Sequence, residues 1–191
     1  MRLVCKGKYT CEADLPVRVH PQGYVPFREA EDMRKLAVQL SVASIPLLVV
    51  AVIGVVLRGM PYFKESVLQL SLGMMLPVLC LFPHELLHAI CFRGEVELWT
   101  NLKMGMLFVV GTEDLSKGRF VFMSLLPNLV FGILPYVLFL LRPQWVLLGV
   151  LGAINIPMGV GDYYNVYNCL TQVPKDACVY LSGMHSYWYM P

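Results

Sequence analysis

Charged side chains are scarce in this chain of 191 residues. Only 15% of the residues are Asp, Glu, Lys or Arg, and 57% are hydrophobic, whereas ordinary soluble domains carry about 25% charged residues. The net charge of +2 is small, and no basic stripe alternates with aromatic residues. The composition therefore argues against a disordered chain, a typical soluble globule and a nucleic-acid-binding protein.

Cysteine is also infrequent, which excludes a small disulfide-stapled fold. The chain has six cysteines, and they are scattered. Cys5 and Cys11 lie six residues apart, so they do not form a C-x-x-C metal or redox pair. We expect all six thiols to be reduced.

Four long apolar runs account for about half of the chain. They cover residues 36–57, 67–92, 120–141 and 144–168. Each has the roughly 20 residues needed to cross a hydrocarbon core about 30 Å thick. The sequence therefore predicts an all-α membrane protein with four transmembrane helices in one domain, residues 1–191. Asn155 and Pro157 predict a broken or kinked helix in the last run.

The distribution of Lys and Arg predicts the orientation of these spans. The N-terminal segment 1–35, the connection 93–119 and the tail 169–191 hold twelve of these residues, and the two opposite connections hold three. Because cytoplasmic loops carry the excess of Lys and Arg, we expect both termini in the cytosol. The sequence thus predicts a multi-pass protein of the plasma membrane.

The connection between the second and third spans contains a predicted β-hairpin at residues 95–112. Val96 and Leu98 alternate with Glu95 and Glu97, as in a strand. The apolar stretch at 104–111 is too short to cross a bilayer. We expect a short hairpin at the membrane surface; an ordinary amphipathic surface loop is the alternative.

Cys and Tyr apart, the ionisable residues inside the four runs are His84, Glu85, His88 and Asp162. An acid inside a membrane costs roughly 2.5–3.5 kcal/mol on insertion scales, and such residues usually mark function. No Lys or Arg lies in any of the runs to neutralise them. Either the acids are protonated or another cation sits beside them.

His84, Glu85 and His88 form the sequence H-E-L-L-H. On a helix, residues four apart lie on one face, so the two imidazoles can bind one metal ion and Glu85 can reach a water molecule on it. Zinc suits these ligands. The alternative is a pair of core histidines that hydrogen-bond between helices.

Two further residues, Asp162 and Asn128, lie at a depth in the membrane similar to that of the two histidines. At 1.5 Å per residue, His88 and His84 lie about 6 and 12 Å from the cytosolic end of their run, and Asp162 lies about 9 Å from the end of its own. Asp162 can therefore be a third ligand, or else an acid that is paired elsewhere or protonated. Asn128, about 12 Å deep, can bind substrate or stabilise an oxyanion, or form an interhelical hydrogen bond.

The chain resembles a known family at H-E-L-L-H and at G-D-Y-Y-N, residues 161–165. These are the small four-span zincin peptidases once filed as a domain of unknown function, which are related to the intramembrane site-2 metalloproteases. The resemblance extends to VPFREAEDMRKL before the first span and to PKDACVYLSGMHSYWY in the tail. It implies zinc held by His84, His88 and Asp162, with Glu85 as catalytic base. Site-2 proteases usually carry Gly after the Asp, whereas here Gly161 precedes it.

The sequence therefore predicts a zinc-dependent intramembrane endopeptidase that uses metal-activated water near the cytosolic face. Its partners would be the lipid bilayer and a peptide or membrane-protein substrate, which the hairpin could hold as an extended strand. One alternative is a non-enzymatic membrane protein with a structural or regulatory metal site, with His185, Cys80 or Asp176 as fourth ligand. A metal transporter fits less well, because no pair of inverted repeats is visible. The sequence leaves the oligomeric state open.

Overall fold

The computed structural model describes residues 1–30, 33–101 and 106–191. These described residues are mostly helical and also form two small sheets. It divides into two compact units. Unit 1 comprises Met1–Glu29, Glu85–Leu125 and Tyr164–Pro191, and unit 2 comprises Ala30–His84 and Leu126–Tyr163.

Six α-helices follow one another in the described part of the chain. They are α1 (Met33–Gly59), α2 (Val67–Ala89), α3 (Lys117–Asn128), α4 (Leu134–Leu141), α5 (Val146–Met158) and α6 (Val160–Gln172). Five residues of π-helix, Leu129–Ile133, join α3 to α4. π-Helical segments are rare and occur frequently at functional sites.

In the described part of the chain, three helical segments are long and apolar enough to cross a membrane. They are Lys35–Glu65, Val67–Ala89 and Lys117–Leu141. A fourth is obtained if α5 and α6, which bend by 50° at their junction, count as one broken span. The bend follows Pro157, which lacks the N–H that an unbroken helix needs. This arrangement is consistent with a membrane protein.

Unit 2 has a core between α1, α4 and α5. Ala51, Val55, Phe139 and Ala153 are buried there. The Tyr136 hydroxyl donates a hydrogen bond to the Ala51 carbonyl at 2.8 Å. Many other side chains of α1 are apolar and exposed, as is typical of helices that contact lipid.

The described residues of unit 1 form seven strands. They are β1 (Arg2–Lys8), β2 (Val25–Pro26), β3 (Glu95–Asn101), β4 (Met106–Val110), β5 (Leu115–Ser116), β6 (Cys178–Ser182) and β7 (His185–Tyr189). One sheet has the order β1-β3-β4 and the other β2-β7-β6-β5. β1 is parallel to β3, and the other pairs are antiparallel.

The strand pairing amends the predicted all-α class. β3 and β4 pair antiparallel at 95–110, where the sequence predicts a hairpin. β1 and the second sheet were not predicted. β1 carries three basic residues in seven, and it is a strand because it pairs with β3 more than 90 positions away.

The core of unit 1 joins the end of α2 to the tail of the chain. Ala89 and Phe92 pack in one cluster with Phe120 and Met123 of α3 and with Val179 of β6. The tail is therefore part of the fold of unit 1, and the core places the last turn of α2 against α3.

Candidate metal centre

One turn of α2 carries the H-E-x-x-H motif. His84, Glu85 and His88 each offer one ligand atom, and these three atoms lie within 4.8 Å of one another. All three residues are half-buried. Within the described ranges, no other three His, Cys, Asp or Glu residues gather in this way. The spacing follows from the helix itself, because residues three and four apart share a face.

A half-buried carboxylate, 23% exposed, stabilises the turn that follows this helix. Glu113 accepts hydrogen bonds from the backbone N–H of Arg93 at 2.9 Å and of Gly94 at 2.6 Å. It also pairs with Arg119 at 3.0 Å. The chain therefore leaves α2 through an anchored turn shortly after His88.

The ring of His88 is oriented by a backbone group of α3. His88 Nδ1 lies 2.9 Å from the Met123 carbonyl oxygen. Because a carbonyl can only accept, Nδ1 must donate, which leaves Nε2 of the neutral ring with its lone pair. Metal-bound histidines commonly have this arrangement, in which one ring N–H bonds a carbonyl or carboxylate.

His84 meets an acid from the last helical segment. Its Nε2 lies 3.3 Å from Oδ2 of Asp162, in the first turn of α6. The two side chains are 20% and 14% exposed, so water competes little for either group. Two ligand atoms on one tetrahedral zinc ion, each at about 2.0–2.1 Å from it, would lie roughly 3.3 Å apart. The measured separation thus fits a shared ion as well as an ion pair.

Asn128 contacts this same acid. Its side chain is 1% exposed, and its Nδ2 donates a hydrogen bond to Asp162 Oδ2 at 2.7 Å. Of the roles that the sequence left open for Asn128, this contact is of the interhelical kind.

The other candidate ligands are not members of this group. His185 Nδ1 lies 3.2 Å from Glu29 Oε2. Cys80 is half-buried and Asp176 is exposed. None of these three belongs to the group formed by His84, Glu85 and His88.

Sequence reasoning missed Met123 and Gly159 beside this centre and Glu113 in the turn after α2. Met123 acts through its backbone, so its side chain carries no signal. Glu113 is one of several acids in a polar connection. Gly159 could have been suspected only as a helix-ending glycine two residues after Pro157.

The donor set fits zinc. Two imidazole nitrogens and a carboxylate oxygen are ligands that zinc binds in catalytic sites with three protein ligands. The His88–Met123 and Asn128–Asp162 hydrogen bonds are of the kind that orients metal ligands in other proteins.

The chain was also compared with known proteins. Residues 76–178 match the model of a family described as "Putative zincin peptidase". A search of curated proteins and a search of solved structures each found no match. The matched segment contains the H-E-x-x-H motif, Asn128 and Asp162. Because it spans more than half of the chain, the protein belongs to this zincin peptidase family.

Proposed function

We propose that this protein is a zinc metallopeptidase that hydrolyses a peptide bond near the cytosolic face of a membrane. The observation that carries the proposal is the 3.3 Å approach of Asp162 Oδ2 to His84 Nε2, beside the second histidine and the glutamate of the same helical turn. Membership of the zincin family supports the peptidase activity.

His84, His88 and Asp162 would hold the zinc ion. When bound, zinc supplies a Lewis acid that polarises a carbonyl and lowers the pKa of a bound water to about 7. The hydrogen bond from His88 Nδ1 to the Met123 carbonyl keeps the ring from rotating and leaves Nε2 as its ligand atom.

Glu85 would transfer the proton. It follows His84 by one residue, so its carboxylate projects from the same turn about 100° around the helix. As general base it takes a proton from water, and as general acid it then gives that proton to the leaving amine nitrogen. Atoms and protons balance, because one water is consumed and the peptide C–N bond is cleaved.

The positions of these residues in the helices support intramembrane action as part of this proposal. His84 and His88 are in the last turns of α2, and Asp162 belongs to the α5–α6 segment that can form a fourth span. The predicted orientation puts the His88 end of α2 at the cytosolic side. A four-span arrangement of this kind would relate the protein to the site-2 metalloproteases.

An extended peptide is the substrate form that we propose, because a regular helix hides its carbonyl groups in its own hydrogen bonds. β4 offers a strand to pair with: among the described residues it pairs with β3 alone, at the edge of its sheet. Its sequence, MLFVV, has no charge or proline to discourage pairing.

Alternate N-methylation of a substrate peptide tests this pairing. If the peptide adds a strand to β4, methyl groups on one face of its backbone should raise KM at least about tenfold, the cost of one or two lost hydrogen bonds. The same methyl groups on the other face serve as the control. Equal KM values for the two peptides would contradict strand addition.

Substitution of Glu85 by Gln tests the function. Zinc content and peptide cleavage are measured on the purified full-length protein in detergent. The variant should keep zinc near one ion per chain and lose about 10²–10⁴-fold in kcat, the usual contribution of a general base. Glu95→Gln, an exposed acid in an ion pair with Arg2, is the matched control and should cleave normally.

Equal cleavage by the Glu85→Gln variant and the unsubstituted protein would exclude Glu85 as the base. If the unsubstituted protein bound zinc through four protein ligands and cleaved no peptide, the metal would instead be structural or regulatory.

A further inference from the structure

Asn128 has no direct place in the chemistry proposed above, yet it is the most buried polar side chain at the centre, only 1% exposed. Its amide donates to Asp162 Oδ2 at 2.7 Å, the same oxygen that lies 3.3 Å from His84 Nε2. We infer that Asn128 is a positioning residue that orients the Asp162 carboxylate toward the metal, and that Gly159 makes the room it needs. This inference rests on the proposed zinc site.

The chemistry of the carboxylate allows both contacts. A carboxylate oxygen has two lone pairs, so Oδ2 can accept the Asn128 N–H with one and face His84 with the other. Without the amide, rotation about the side-chain bonds of Asp162 would be restrained less. A fixed carboxylate loses less conformational entropy when it binds an ion, because the hydrogen bond has already ordered it.

Gly159, at the junction of α5 and α6, is the second part of this arrangement. A Cβ added there would overlap the amide of Asn128, including both of its terminal atoms. The backbone at Gly159 has φ −78° and ψ 12°, a conformation with negative φ that does not require glycine. The absence of a side chain is therefore required by the space that Asn128 occupies and not by the backbone conformation.

α3 thus supports two of the proposed ligands. Its Met123 carbonyl accepts a hydrogen bond from His88, and its last residue, Asn128, donates one to Asp162. Both contacts are of the outer kind whose removal typically weakens metal binding about 10- to 100-fold.

Zinc affinity of full-length variants in detergent, measured by competition with a chromophoric chelator, tests the inference. Asn128→Leu keeps the volume and removes the donor. Gly159→Ala adds a Cβ in the space of the Asn128 amide, so the amide can no longer keep its contact with Asp162. Both should weaken zinc binding about 10- to 100-fold.

Each variant has a matched control. Asn155→Leu makes the same change at a residue that is also buried but donates to the Leu151 carbonyl of its own helix. Gly161→Ala makes the same change where, its chain neighbours and its own helix backbone aside, no atom lies within 4 Å of the added Cβ. Both controls should keep the zinc affinity of the unsubstituted protein.

A role through Asp162 also predicts non-additivity. In an Asp162→Ala background, Asn128→Leu should cause no further loss of zinc affinity, because the group that Asn128 orients is gone. A merely structural role would give the same loss in both backgrounds. Gly159→Ala decides the question if Asn128→Leu does not fold.

Normal zinc affinity in both Asn128→Leu and Gly159→Ala, or additive losses with Asp162→Ala, would overturn the positioning role and leave the zinc peptidase standing. Absence of zinc binding by the unsubstituted protein would overturn the proposed function, and the positioning role with it.

Discussion

At Glu29, burial and hydrogen bonding have opposite effects on the pKa of the side-chain carboxyl. Its side chain is 15% exposed, its Oε2 lies 3.2 Å from His185 Nδ1, and it accepts a hydrogen bond from the Ser186 backbone N–H at 3.3 Å. Burial outweighs these contacts and raises the pKa of the Glu29 carboxyl above its ordinary 4.5.

The raised pKa of Glu29 predicts the sign of a pH effect on stability. Between pH 4.5 and the raised value, the folded protein keeps a proton that the unfolded chain has released, so this group's contribution to stability falls as pH rises. Thermal unfolding of Glu29→Gln in detergent should lack this decline. The Tm of the unsubstituted protein, taken relative to the Tm of Glu29→Gln, should fall as the pH rises from 4.5 toward neutrality.

The difference between the two proteins reports on Glu29 together with its contact to His185, because the other titratable groups are present in both. Glu95→Gln, which removes an exposed acid, should follow the unsubstituted protein across the same pH range. Parallel Tm profiles for Glu29→Gln and the unsubstituted protein would contradict a raised pKa.

At the scale of elements, α6 is held at both ends. Its first turn carries Asp162, and its last turn is capped by Lys117. The Lys117 ammonium donates to the carbonyls of Leu170 at 3.2 Å and Val173 at 2.6 Å. Carbonyls at a helix end have no intrahelical partner, and a cation there is favoured by the helix dipole.

Substitution of Lys117 by Met should therefore destabilise the protein by about 1–2 kcal/mol, because it removes both hydrogen bonds and the charge. Denaturant unfolding in detergent measures the loss. Lys175→Met, at an exposed position, is the control and should change stability by less than about 0.5 kcal/mol. Equal stability of the two variants would mean that the cap contributes nothing.

At the scale of the whole molecule, the orientation in the membrane stays a prediction from the Lys and Arg distribution. Cys5 and Cys11 are exposed and lie in the segment placed in the cytosol. A membrane-impermeant maleimide should not label them in intact cells and should label them after permeabilisation.

A cysteine on the opposite side completes this test. Gln144 is exposed in the connection between α4 and α5. In a chain with Cys5→Ser and Cys11→Ser, Gln144→Cys should be labelled from outside intact cells. Labelling of Cys5 from outside, or of residue 144 only after permeabilisation, would reverse the proposed topology.

Some of the fold and of the centre was predictable because it is local in the chain. The spacing of His84 and His88 places them on one helical face whatever surrounds the helix. Alternation at 95–98 predicts a strand, and Pro157 predicts the break that separates α5 from α6. β1 had no such signal, since its strand conformation depends on pairing with β3.

The sequence by itself determined the apolar segments, the H-E-x-x-H turn and the chemistry of the donor groups, because each depends on residues within a few turns of one helix. Only the tertiary structure decided that Asp162 Oδ2 lies beside His84 Nε2, that Asn128 donates to that oxygen and that the Met123 carbonyl meets His88. The last two contacts join residues 34 and 35 positions apart. Pairings of this kind arise from the packing of whole helices, and no local pattern in a chain specifies them.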